Sequence, residues 1–399
     1  MANHQAAEQM IGYLYQIRYA LFLLLDNDNT GYQVSIEKFD DVAFDDNGTP
    51  KELIQLKHHI NNQGSLTDYS VDLWRTLKVW MDMIEDEKSI LYDADFLLIT
   101  TSTAPEDSIA AALKEKNKDV DAIYSVLKKI AEEKGNQTNK KAYEKFSSMD
   151  EAIIKKLLER IIIIDYAADI VDVENAIRKC IRYSCEQRHE DFVYERIEGW
   201  WFKNAIMALT SNEPCFFNQT QIRSLIRDFA REYDADNLPI DDDILMIGEV
   251  EESDLPEKQR IFLEQLRLLR LKNNHLNIAL QDYYRAYEQR SRWIRNDLLY
   301  VNELSIYERR LVDAWRDAYT WMVDDLEDSV LPITEEDIIK AGKKLYKEVT
   351  GKDIRIRDKC QEPFVMKGSY HLLSNKLKVG WHKDFYDRLS DLLVKCEED

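Results

Sequence analysis

The feature that most constrains this chain is how seldom its backbone is interrupted: 399 residues hold only 11 glycines and 7 prolines. Ordinary usage is about 7% Gly and 5% Pro, so breakers are two- to threefold under-represented. A backbone with so few turn-formers propagates long helices, and the 32% charged residues supply their solvated faces. Hydrophobic residues make up 45%, enough for a sizeable core, which excludes disorder of the whole chain. At about 100–200 residues per domain, the length predicts two domains. The formal net charge of −21, from 54 basic and 75 acidic residues, argues against a generic nucleic-acid coat. Phosphate contact needs positive charge, so any chemistry on nucleic acid must sit at a local site.

Five cysteines, Cys180, Cys185, Cys215, Cys360 and Cys396, are too few and too scattered for a disulfide framework and fit a reducing compartment. Near the N-terminus the longest apolar run, Tyr19 to Leu25, falls far short of the roughly 20 residues that span a bilayer. Polar and acidic residues precede it, unlike a secretory signal. A soluble cytoplasmic protein with no membrane partner is the expectation. Cys180, Cys185 and His189 lack the spacing of a closed zinc site, and a buried helical face explains the cysteines better.

Met10 to Leu25 reads as a helix opening on GYLYQ, and Gly31 ends it. The segment YQVSIEKFDDVAF, residues 32–44, predicts one strand of about ten residues. Asn47-Gly48 is a hairpin signal, ELIQLKHHI (52–60) a second strand, and NNQGS a loop. Leu66 to Ile84 has helical spacing, with Leu73, Trp74, Leu77, Trp80, Met81 and Ile84 as its apolar face. DFLLITT (95–101) predicts a buried central strand.

Residues 106–160 are polar and helical, Ile161–Asp165 is a β-branched run that adds a strand or closes the core, and 172–184 is helical. GWWFK (199–203) predicts core or interface rather than a base-stacking platform. An acidic connector with two prolines spans 234–256, and 261–325 predicts two or three long helices. Gly368 and Gly380 read as turn residues, with His371 and His382 as structural hydrogen bonders. Arg285, Arg290, Arg292 and Arg295 lie among tyrosines, a nucleic-acid-binding pattern, but nearby acids make salt bridges the default. Lys343, Lys344, Lys347 and Lys352 read as a solvated face. There is no Walker A loop, so the chain is not itself an ATPase, and no G-x-S-x-G or kinase signature.

The candidate chemistry lies in the first strands. Side chains two apart on a strand share a face, which sends Glu37, Phe39 and Asp41 one way and Asp40 the other. Gln55 and Lys57 likewise share a face, opposite Leu56. A turn brings Asp41 toward Gln55 and Lys57, and the upstream helix offers Gln16 and Glu8. This set suits metal-assisted phosphodiester hydrolysis with Mg²⁺ or Mn²⁺, which prefer hard oxygen ligands. Asp41, the side-chain oxygen of Gln55 and the carbonyl of Leu56 are the candidate ligands, and Glu37 is either a further ligand or an ion-pair partner of Lys57. Lys57 is the candidate catalytic residue, orienting or deprotonating water and stabilising phosphate charge. An amide at 55 in place of a carboxylate weakens metal binding. The same residues also suit an ordinary exposed hairpin face. His58 and His59 read as a solvated strand end more readily than as phosphate contacts.

The series GYLYQ, IEKFDDV, IQLKHH and FLLITTS, covering residues 5–102, resembles the PD-(D/E)xK nuclease superfamily in its D…QxK form. It is most similar to the double-stranded DNA endonuclease domain of CD-NTase-associated defence effectors. The resemblance implies Asp41 and Gln55 as metal ligands, Lys57 as catalytic lysine, Glu37 as supporting acid, and Gln16 at a helix position that often carries an acid. QIRSLIRDFAREYDADNLPID (221–241) and KGSYHLLSNKLKVGWHKDFYDRL (367–389) resemble the C-terminal domain of ABC three-component defence effectors, among them the Lamassu effector nucleases.

The expected fold is therefore an α/β N-terminal PD-(D/E)xK restriction-endonuclease-like domain, residues 1–198, plus a mainly α C-terminal domain, 199–399, for partner binding or oligomerisation. The resemblances imply a Mg²⁺- or Mn²⁺-dependent double-stranded DNA endonuclease of an anti-phage or anti-plasmid complex. An SMC-like ATPase and a small middle subunit would hold it inactive, and a dimer or tetramer would be the active form. A catalytically silent interaction subunit and an RNase or single-strand nuclease are the alternatives.

Overall fold

A computed structural model describes residues 2–29, 31–46, 48–59, 64–211, 215–256 and 259–397, with side chains from residue 10 to 392. It divides into two compact units, Met1–Arg231 and Glu232–Asp399.

The first unit is built on a mixed six-stranded sheet of order β5-β4-β3-β2-β1-β6. Helix α1 (Ala2–Asp26) leads into β1 (Gln33–Ile36), β2 (Val42–Asp46) and β3 (Thr49–Lys57), an antiparallel meander. Residues 32–44, expected to form one strand, form two. Ile36 pairs with Val42, and the chain reverses through 37–41 with Glu37 in the left-handed region at φ 53°. No Gly, Pro or Asn marks that reversal, so the β-branched and aromatic residues on both sides read as continuous. Asn47 of the next turn lies outside the described residues. Gly48 is described: it takes φ 88°, and its N–H donates to the Asp45 carboxylate at 2.9 Å. Residues 61–63 of the NNQGS loop also lie outside them.

Helix α2 (Val71–Asp86) is the crossover that makes β3 and β4 (Asp95–Thr100) parallel. Ser70 caps its start by accepting from Leu73 N–H. Its expected face is buried in full: Leu73, Trp74, Leu77, Trp80, Met81 and Ile84. Trp80 meets Phe96 of β4 edge-on at 5.4 Å, and Trp74 meets Tyr143 at 4.6 Å. β4 has β3 on one side and β5 (Ile161–Ile164) on the other, so the DFLLIT run is central as expected. On β5, Ile161 and Ile163 are buried while Ile162 and Ile164 face out, so the isoleucine run does add a strand. β6 (Phe217–Asn218) pairs with β1 and closes the far edge.

The boundary expected at 198/199 falls inside the helix Glu190–Thr210, and the first compact unit continues to Arg231. That helix cannot be divided, because Trp201 is fully buried and its indole donates to Ile17 O at 2.7 Å. Trp201 of GWWFK is thus core of the first unit, with Trp200 and Phe202 half-buried beside it. In the same unit Cys180 is exposed rather than buried.

The second unit is helical. Residues 261–325 fall in three helices, Ile261–Leu268, Asn273–Arg295 and Glu303–Glu327, followed by Glu335–Thr350, Pro363–Asn375 and Phe385–Glu397. The acidic connector holds one short helix, Asp242–Leu245, and a single 3₁₀ turn. Two of the four clustered arginines follow the default reading, Arg292 gripping Asp243 at 2.6 and 2.7 Å and Arg290 pairing with Glu308, whereas Arg285 donates to the Leu245 and Ile247 carbonyls.

Gly368, expected in a turn, lies mid-helix. A Cβ there would sit 2.1 Å from Asp282 O and 2.4 Å from the Ala286 Cβ, so the glycine lets two helices cross in contact. His382 accepts from Asp384 N–H at 3.1 Å, but His371 is buried with neither ring nitrogen partnered, contrary to its expected hydrogen bonding.

Candidate active site

Strand pairing sets the site. Val42 pairs with Ile54, and one step further in the same register places Asp41 opposite Gln55. The Asp41 carboxylate accepts from the Leu56 backbone N–H at 2.8 Å and from Gln55 Nε2 at 3.3 Å. Lys57 Nζ donates to Gln55 Oε1 at 2.7 Å and stands 3.8 Å from Asp41 Oδ2. Asp41, Gln55 and Lys57 therefore converge on one small space at the C-terminal end of β3. On a strand a residue's N–H and C=O leave by the same edge, so the Leu56 carbonyl also faces the Asp41 side.

The geometry corrects the face assignment made for Asp40. Because β1 ends at Ile36, alternation does not run through 37–41, and Asp40 turns inward. Its carboxylate accepts from Gln55 Nε2, from Trp80 Nε1 at 2.8 Å and from Asp41 N–H at 2.9 Å. Burial raises the Asp40 carboxyl to about 6, with the Asp41 charge adding to the rise and the hydrogen bonds from Gln55 and Trp80 opposing it. Asp40 and Trp80 together hold the Gln55 amide so that Nε2 faces the carboxylates and Oε1 faces Lys57. The doubled aspartate was the only sequence signal for this, and period-2 reasoning discarded it.

Glu37 sits on the rim of the same turn, its N–H donating to Asp41 O at 3.1 Å. Desolvation, then Asp41 and Asp40, raise its carboxyl above the usual range, while Lys57 opposes them, so it lies within electrostatic reach of the trio. Gln16 is half-buried on α1 and, among the described residues, makes no hydrogen bond to the trio. The Glu8 side chain lies outside the described residues.

His58 and His59 are not a free strand end. His58 packs on Tyr15 at 4.5 Å, and its desolvation lowers its basicity. His59 bonds Asp72 of α2 at 2.7 Å, and its N–H donates to Thr101 Oγ1 at 3.0 Å. Burial alone would raise Asp72, but His59, then Lys57 and Arg75, together bring it below the usual range. These contacts pin the end of β3 to α1, α2 and the β4 exit, which fixes the backbone that carries Gln55 and Lys57.

A divalent cation fits this donor set only in a particular way. Among the described residues no group of three His, Cys, Asp or Glu side chains is placed to hold a metal. One carboxylate, Asp41, would be supplemented by the neutral oxygens of Gln55 and Leu56, a hard-oxygen set with open positions of the kind Mg²⁺ fills with water and phosphate.

Among the described residues no helix is long and apolar enough to cross a membrane. No curated protein matches the chain. The stretch 221–241 and the site-bearing residues 5–102 lie outside the family match at 262–389, whereas 367–389 lie within it. Residues 262–389 match C-terminal domain 7 of the ABC-three component (ABC-3C) systems, so the helical second unit is similar to that domain.

Proposed function

We propose that this chain is the metal-dependent double-stranded DNA endonuclease of an ABC three-component defence complex of the Lamassu type. An SMC-like ATPase and a small middle subunit hold it inactive, and it acts as a cytoplasmic dimer or tetramer. The convergence of Asp41, Gln55 and Lys57 at the end of β3 carries this reading. The domain match in the second unit supports membership of such a complex.

Asp41, the Gln55 oxygen and the Leu56 carbonyl would hold Mg²⁺ or Mn²⁺, with Glu37 as the supporting acid. The cation, when bound, supplies Lewis-acid activation of the scissile phosphate. Lys57 places its ammonium where negative charge grows during attack, and its bond to Gln55 Oε1 keeps it there. Asp40 and Trp80 orient the amide before substrate arrives, so little reorganisation remains at the reacting centre. A single carboxylate among the ligands makes the metal site weak, which suits an effector that must stay silent until activated.

The test is cleavage of plasmid, linear duplex, single-stranded DNA and RNA by the full chain, with its partners present and absent, in Mg²⁺ or EDTA. Duplex cutting that requires the metal and Lys57 is expected. Cutting of RNA or single strands alone would replace the substrate class. Phage protection that survives Lys57→Ala unchanged would make the chain a docking subunit.

A further inference from the structure

In the second unit the helices Glu303–Glu327 and Glu335–Thr350 form an antiparallel pair joined by the loop 328–334. Between them runs an apolar groove of about 390 Å³, floored by Met322, Leu326 and Leu345. Trp321 stands on its lip and is 71% exposed. The loop adds further apolar surface, with Val330 fully exposed and Leu331 at 75%. A tryptophan and two aliphatic side chains left together in water mark a surface that is covered in use.

The charges beside the groove are divided by helix. On the first helix Asp317, Trp321, Asp324 and Asp328 recur at spacings of four, three and four, so they share one face, and Asp325 lines the groove itself. On the second, Lys340, Lys344 and Lys347 recur at four and three, and Lys344 lines the groove. Glu348 adds one acid to that wall. These charged side chains are exposed, and among the described residues none of them takes part in an ion pair. The fold therefore holds an acidic rim and a basic rim a groove's width apart, and neither neutralises the other.

We propose that this groove is the face by which two copies of the chain associate. A two-fold axis lying in the interface and parallel to the helices sets the acidic helix of each copy over the basic helix of the other. The same axis brings both 328–334 loops to one end, where their exposed aliphatic residues meet. It also sets each Trp321 against the opposite helix, whose lysine stems it covers. An axis across the helices would set acid on acid and part the loops, so the charge pattern selects one arrangement, a four-helix layer. A partner helix of one charge sign would leave one rim repelled, which singles out a second copy as the occupant. The assignment deepens the self-association of the proposed function, and rests on that reading only for what the dimer does, because the interface needs neither metal nor DNA.

Sedimentation of the full chain across a concentration series, without metal, DNA or other subunits, tests it. Self-association is expected, and Trp321→Ala should weaken it at least about tenfold. Lys340→Glu/Lys344→Glu/Lys347→Glu, which makes both rims acidic, should abolish this association. So should Asp317→Lys/Asp324→Lys/Asp328→Lys, which makes both rims basic. Mixing the two triple variants should restore it, which misfolded chains could not do. A chain that stays monomeric at about 100 µM, an oligomer that these variants leave intact, or a mixture no larger than its components would each overturn the assignment. A dimer that these variants disrupt but that cuts no nucleic acid would overturn the nuclease reading alone. A cutting chain whose assembly ignores them would overturn this interface alone.

Discussion

Lys57 carries the heaviest demand at the scale of single residues. Lys57→Ala removes the cation 3.8 Å from Asp41, and cleavage should fall by about 10²–10³-fold, the usual loss when one transition-state stabiliser is removed. The ammonium is partly exposed, so the unfolding free energy should change by about 1 kcal/mol or less in a urea titration. Trp80→Phe should behave in the opposite way at first sight. It leaves the buried Asp40 carboxylate without its 2.8 Å indole donor and should cost about 2 kcal/mol of stability. It should also lower cleavage through the Gln55 amide, and a double-mutant cycle with Asp40→Asn should show strong coupling.

His371, in the second unit, offers a separate residue-scale check. It packs 5.2 Å from Phe262 with both nitrogens unpartnered, and burial, then Lys367, lowers its pKa to about 3. The folded unit therefore excludes the proton that the unfolded chain binds near 6.5. Its stabilising contribution is complete above pH 6.5 and is lost on acidification, by about 1.4 kcal/mol per pH unit down toward 3. His371→Leu should flatten the acid side of the stability profile between pH 6.5 and 5, measured as urea midpoints against the wild type.

At the scale of elements, the crossing at Gly368 is the sharpest prediction. Gly368→Ala pushes a methyl into Asp282 O and Ala286, so the helices 273–295 and 363–375 must part. A loss of about 3 kcal/mol is expected by chemical denaturation, despite the better helix propensity of alanine. The same element shows why sequence reading placed this glycine in a turn: Gly signals flexibility, but here its missing side chain serves close approach, which only the partner helix reveals. The first hairpin teaches the converse. Helix α2 was legible because six apolar residues recur at helical spacing and all six are buried. The β1–β2 reversal was not, because its turn depends on Glu37 adopting φ 53° rather than on any turn-forming residue.

At the scale of the whole molecule, the proposed endonuclease reading gives each centre one strand to cut. A double-strand break then requires two centres in register, so self-association should track activity. Mixing wild-type chain with an excess of Lys57→Ala should convert linear plasmid product into nicked circles, read on an agarose gel. The acidic surface bears on this too. A net charge of −21 repels DNA from an isolated chain, so cleavage should be markedly salt-sensitive and stronger in the released, self-associated chain than in the single copy.

Composition and periodicity by themselves determined that this chain has a helix-rich second half, a crossover helix with a defined buried face and a central strand at DFLLIT, because those properties are written in local spacing. The grouping of Asp41, Gln55 and Lys57 was suggested by their order, but whether they meet depended on a strand register that spans a turn. Asp40, the Trp80 donor and the extension of the first unit to Arg231 were decided only by tertiary structure. Each is a relation between residues distant in the chain, and no local period encodes which side chain will fill the space beside another.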